Sequence, residues 1–139
     1  MATRRQSRLA RLLLFGCITL SGCSRFSAPP KDFLRQIVDA DRAVAVEFDS
    51  GAEFSRLSLG REDVSRVARA MSSARSIGNP SLATNRALKF FRGTNLVSTV
   101  GFYSDYFLVN NVWYEDRTGA LRSVERNFNA ETKKAKGSS

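Results

Sequence analysis

The 139-residue sequence contains no histidine. That absence excludes His-ligated zinc, Ser-His-Asp and Cys-His catalysis, and histidine proton switching. Cysteine occurs only at positions 17 and 23, and the three prolines are Pro29, Pro30 and Pro80. The apolar run Leu12–Leu20 is far shorter than the roughly 20 residues a membrane-crossing helix needs. Gly51, Gly93 and Gly119 stand alone at turn signals, so no glycine-rich phosphate cradle exists. Magnesium or calcium held by carboxylates alone is still chemically open. Asp39, Asp41 and Asp49, however, lack the spacing of a calcium loop. No metal or cofactor is expected.

What is present begins with asymmetry of charge. The chain has 22 basic and 13 acidic residues, a net of +9. Residues 1–22 hold Arg4, Arg5, Arg8 and Arg11 and no acid, leaving 18 basic residues against 13 acidic ones, a net of +5. A basic start, a short apolar core and small residues follow in the order of an export signal.

The end of that signal, Leu20-Ser21-Gly22-Cys23, resembles the lipobox of bacterial lipoproteins position by position. The resemblance implies a diacylglyceryl thioether on Cys23, cleavage between Gly22 and Cys23, and attachment to a membrane through the acyl chains. Each buried methylene contributes roughly 0.8 kcal/mol, so two or three chains hold firmly. Cys17 leaves with the signal and Cys23 is taken by lipid, so no disulfide is left to staple the fold. Ser24 in place of Asp resembles lipoproteins sorted to the outer membrane and facing the periplasm. Many lineages follow that rule loosely, which leaves the inner membrane open. Such an address disfavours nucleic-acid partners. The mild positive charge that remains suits an acidic envelope partner or simply a solvated surface.

Residues 23–30 read as lipidated N-terminus and tether, stiffened by Pro29-Pro30. Residues 31–128 read as one α+β domain, and residues 129–139, polar and Lys-rich, as a disordered basic tail. Phe33, Leu34, Ile37 and Val38 predict a helix over Lys31–Ala40. Val44, Val46 and Phe48 alternate, Asp49-Ser50-Gly51 signals a hairpin, and Ala52–Leu59 supplies its partner strand. The alternation slips between Phe54 and Leu57, which predicts a bulge or a late strand start. Val64, Val67, Ala68 and Met71 form one stripe of a helix over Arg61–Arg75, with Glu62 and Arg66 paired four residues apart. Ser76–Asn85 is expected as loop.

Strands follow over Ala87–Arg92, Leu96–Phe102, Tyr106–Val109 and Val112–Glu115, the last pair joined by Asn110-Asn111. Asn accepts positive φ better than most residues, which suits a two-residue turn. Leu121, Val124 and Phe128 predict a short closing helix. The expected architecture is a two-layer α+β sandwich. An antiparallel meander sheet carries one amphipathic helix on a face, in the order helix-ββ-helix-ββββ-helix.

Three sets of side chains merit attention as sites. Asp105, Glu115 and Asp116 are the carboxylates that glycoside cleavage would need, yet Asp105 and Asp116 sit where turns favour Asp for its backbone bonding. Arg66 and Arg69, three apart on the main helix, suit an anionic partner or a solvated helix face. Among the aromatic residues of the strands, Tyr103, Tyr106 and Tyr114 carry polar tips and are the candidates for an exposed binding face. The expectation is a non-enzymatic, lipid-anchored binding or accessory protein whose partner is an envelope protein or polymer. The alternative is a carboxylate-dependent hydrolase of envelope material.

Overall fold

A computed structural model describes residues 27–138. The expected signal, the lipobox-like Leu20-Ser21-Gly22-Cys23 and the start of the expected tether lie outside the described residues. The elements are α1 (Lys31–Val38), β1 (Arg42–Asp49), β2 (Ala52–Leu59), α2 (Arg61–Ser72), β3 (Arg75–Gly78), β4 (Arg86–Arg92), β5 (Asn95–Tyr103), β6 (Tyr106–Val109), β7 (Val112–Glu115) and α3 (Ala120–Gly137). The seven strands form one antiparallel sheet in the order β2-β1-β4-β5-β6-β7-β3. The fold is α+β, with β4 to β7 as a meander.

The hairpin turns follow from their residues. Ser50-Gly51 and Asn110-Asn111 both place two successive residues at positive φ. That backbone twist matches the twist of the flanking strands. Phe54 is the extra residue of β2, because Glu47 stands opposite Ser55 while Phe48 stands opposite Glu53. The slip in hydrophobic alternation is therefore a bulge, and it leaves Phe54 exposed.

One face of the sheet and all three helices share a single core. Ala43, Ala45, Leu88, Phe90, Val100, Phe102, Phe107 and Tyr114 meet Phe33 and Ile37 of α1, Val64, Val67, Ala68 and Met71 of α2, and Leu121, Val124 and Phe128 of α3. The predicted stripe of α2 is the buried one, but three helices cover this face where one was expected. The other face carries a smaller cluster of Val44, Val46 and Ala87, flanked by Phe48 and Phe91. Long polar side chains roof it: the Arg42 guanidinium lies 4.4 Å from the centre of the Phe91 ring, and the Lys89 ammonium 5.6 Å from that of Phe48.

Three local expectations are corrected. Helix α2 stops at Ser72 instead of Arg75, and Arg75–Gly78 is a strand paired with β7. The Ser72 and Ser73 hydroxyls donate to the carbonyls of Ala68 and Ala70, and the backbone N–H of Ala74 donates to Met71, closing the helix end. Arg66 pairs with Asp63 at 3.1 Å instead of with Glu62. Helix α3 continues nine residues past Phe128 to Gly137, through the segment expected to be disordered. Ala, Glu and Lys there are strong helix formers. Thr132 shares a 2.8 Å hydrogen bond with Ser55 of β2, and Lys134 pairs with Glu131 at 3.0 Å.

The chain must return from β3 at one edge to β4 near the middle of the sheet. It does so across the face that carries no helix among the described residues: the Thr84 hydroxyl donates to the Phe102 carbonyl at 2.6 Å, and its methyl lies 3.2 Å from where a Cβ at Gly101 would stand. Glycine at position 101 is what lets this crossing lie flat on β5.

Candidate functional site

Two-residue turns fix which side chains share the helix-free face at the β3 end of the sheet. Tyr103 stands opposite Tyr106, Tyr106 opposite Glu115, and Glu115 opposite Arg75. Cross-strand partners project to the same side, so these four residues form a transverse row over β5, β6, β7 and β3. Tyr103 is 48% exposed and Tyr106 is half-buried. Arg117 pairs with Glu115 at 3.3 Å. Arg75 donates to the Ser73 and Ala74 carbonyls. Tyrosines beside a neutralised charged pair offer a flat face with aromatic surface and hydrogen-bonding tips.

Tyr114 does not belong to this row. It is one residue from Glu115 and therefore faces the helices. It is 4% exposed and stacks on Phe107 at 5.4 Å, and the Phe33 ring lies tilted against Phe107 at 6.3 Å. Burial pushes its phenol above the ordinary tyrosine range. Tyr114 is a core residue, not an exposed exception. Trp113 takes the helix-free side opposite Gly78 yet is 3% exposed; the segment from Asn79 to Asn85 crosses that side.

Arg66 and Arg69 are exposed on α2, with Arg61, Glu62 and Ser65 around a shallow open depression. They lie beyond the helical layer, on the opposite side of the sheet from Tyr103 and Tyr106. The structure thus brings two of the five candidate surface residues together on one face, sets two on the far side, and buries the fifth.

The candidate catalytic carboxylates are engaged with structural partners. Asp105 forms an ion pair with Arg122 of α3. Asp116, 2% exposed, accepts from the Thr118 N–H at 2.7 Å, the Thr118 hydroxyl at 2.6 Å and the Leu121 N–H at 2.9 Å. It thereby caps α3, whose Gly119 offers no side chain for the task. Glu115 meets Arg117. Asp41 receives the Gly93 N–H, and Asp39 pairs with Arg92 at 3.3 Å. Among the described residues no group of three or more acidic or cysteine side chains converges as a metal site would require.

A cleft between β2, α2 and α3, lined by Leu57, Leu59, Val67 and Val124, holds about 70 Å³. Sites for small molecules usually hold about 300 Å³ or more. Among the described residues no helix is long and apolar enough to cross a membrane.

Sequence reasoning missed Arg75 and Glu115 as neighbours of the tyrosines. The hairpin register already implied Glu115 beside Tyr106. Arg75 had no such signal, because β3 is four residues long with one apolar side chain. No family model, no curated protein and no solved structure matches this chain.

Proposed function

We propose that this protein is a non-enzymatic, lipid-anchored component of the bacterial cell envelope that binds an envelope protein or polymer. The single observation that carries the reading is the sequence Leu20-Ser21-Gly22-Cys23 behind a basic, then apolar, start. Thioether lipidation of Cys23 holds the domain at a membrane, and Ser24 favours the outer membrane, facing the periplasm. The domain itself is a two-layer sandwich, with helices on one side of the sheet and a partner-binding face on the other. The exposed Tyr103 and its neighbour Tyr106 support that face as the contact surface. The engaged state of Asp105, Glu115 and Asp116 supports binding over hydrolysis.

Two experiments test the reading. Replacing Cys23 by Ser should abolish labelling by radioactive fatty acid and leave the signal uncleaved; normal lipid labelling of that variant sinks the anchor. A photoactivatable phenylalanine at position 103 should give a discrete crosslinked partner in intact cells. Tyr106→Ala in the same chain should weaken that product, and an unchanged product would remove the tyrosine face from the account.

A further inference from the structure

The point at which the described chain begins is tied to one edge of the sheet. The Ser76 N–H donates to the Ser27 carbonyl at 2.9 Å, and the Ser27 N–H donates to the Ser76 hydroxyl at 3.1 Å. The two hydroxyls lie 3.3 Å apart. Ser76 is buried, and so is Pro29 two residues after Ser27. Ser27 is therefore held by these bonds against edge strand β3.

Only residues 24–26 separate Cys23 from this pinned point. Four residue steps reach at most about 14 Å even when fully extended. A lipid chain on Cys23 therefore holds the β3 edge within about 14 Å of the bilayer surface. The opposite edge, β2, lies six strand spacings away, about 29 Å at roughly 4.8 Å each. The short tether does not allow the domain to turn over and bring β2 down.

The chemistry of the β3 edge suits a headgroup layer. Ile77 is the bulge residue of β3: Ser76 stands opposite Tyr114 and Gly78 opposite Trp113, and Ile77 is turned out, 36% exposed. Arg75, two residues earlier, is exposed and has no carboxylate ion pair among the described residues; its donors go to the Ser73 and Ala74 carbonyls. An apolar side chain beside an arginine at the anchored edge fits the boundary between acyl chains and phosphates.

We infer that the domain stands on the membrane by its β3 edge, with Arg75 and Ile77 in the layer of anionic lipid headgroups and β2 held outward. This orientation rests on the lipid-anchor reading. The upright pose leaves Tyr103 three strand spacings above the surface, about 14 Å, where a partner can reach it.

The test uses the full lipidated protein, reconstituted in vesicles of phosphatidylethanolamine and phosphatidylglycerol. With Cys23 blocked by lipid, Ile77→Cys and Ser58→Cys each supply the sole free thiol for an environment-sensitive fluorophore. Both positions are exposed strand residues, one on β3 and one on β2. Nitroxide-headgroup lipids should quench the label at position 77 several-fold more than the label at 58, and Arg75→Glu should reduce the quenching at 77. Equal quenching at both positions, or stronger quenching at 58, overturns the orientation while co-flotation with vesicles upholds the anchor. Loss of flotation from the unlabelled wild-type protein overturns the anchor, and the orientation with it. Asn79→Cys, just past β3, replaces position 77 if that variant folds poorly, with the same expected quenching.

Discussion

Arg86 on β4 and Glu125 on α3 meet at 3.0 Å and tie the last helix to the middle of the sheet. Arg86 also reaches Glu47 of β1 at 3.0 Å and Asn129 at 2.9 Å, and its guanidinium lies 5.2 Å from the centre of the Phe128 ring. Glu125 in turn accepts the Ser104 N–H at 3.2 Å, in a turn where Ser104 holds a positive φ of 54°. Glu125→Ala should therefore cost more than a surface ion pair. It removes the acceptor of a part-buried backbone N–H as well as one partner of Arg86. A loss of about 2 kcal/mol is expected, read as a lower urea midpoint at unchanged slope. A shift as small as an exposed pair gives, under about 0.5 kcal/mol, would contradict this role.

Asp116 is the structural cap of α3. Asp116→Ala leaves the Leu121 and Thr118 N–H groups without their acceptor and should cost about 2–3 kcal/mol. Asp116→Asn keeps one acceptor oxygen but puts an NH2, which cannot accept, in place of the other; it loses the Thr118 or the Leu121 bond together with the charge at the helix N-terminus, for about 1–2 kcal/mol. Thermal unfolding of both variants should rank alanine well below asparagine. The reverse order would show that the carboxylate is not retained for capping.

Those two clusters show what was legible in the sequence and what was not. The strands were readable because Val44-Val46-Phe48 and Leu96–Phe102 alternate, and the turns because Gly51 and Asn110-Asn111 accept positive φ. The stripe of α2 was readable from Val64, Val67, Ala68 and Met71. Strand β3 was not, because it is short, has one apolar residue, and owes its pairing to β7 and Ser27. The second half of α3 was missed because apolar spacing ends at Phe128, while helix propensity and the Ser55–Thr132 bond carry the helix onward. The tyrosines could be named from composition; which of them faces outward needed the register. A one-residue step from Glu115 sends Tyr114 into the core, and Trp113, on the other face, is buried as well.

Tyr103 and Tyr114 should accordingly answer substitution in opposite ways. Tyr114→Ala empties a stacked core position and should cost about 3–5 kcal/mol, whereas Tyr103→Ala should change stability by less than about 0.5 kcal/mol. Chemical denaturation of the two variants checks this. Equal losses would mean that Tyr103 is held by packing and is not free for a partner.

Glu53 and Tyr114 give stability a pH dependence of opposite sign at the acid and alkaline ends. Lys89, then Arg56, hold the Glu53 carboxyl below its ordinary value near 4.5. Its ionised form is favoured in the folded state, so its contribution is present above the ordinary carboxylate range and is lost as pH falls through the lowered value. Burial raises the Tyr114 phenol above its ordinary value near 10. The unfolded chain then ionises first, and stability falls as pH rises past that value. Thermal midpoints recorded against pH should show Glu53→Gln flattening the acid limb and Tyr114→Phe flattening the alkaline one. A Glu53→Gln curve parallel to wild type below pH 4.5 would exclude that carboxylate as a source of the acid limb.

The intact mass of the protein extracted from bacterial membranes tests the anchor most directly. The account predicts a chain beginning at Cys23 and carrying a diacylglyceryl group, with or without a third acyl chain on the new amino group. A mature chain that begins elsewhere, or one that begins at Cys23 with an unmodified thiol, would contradict it.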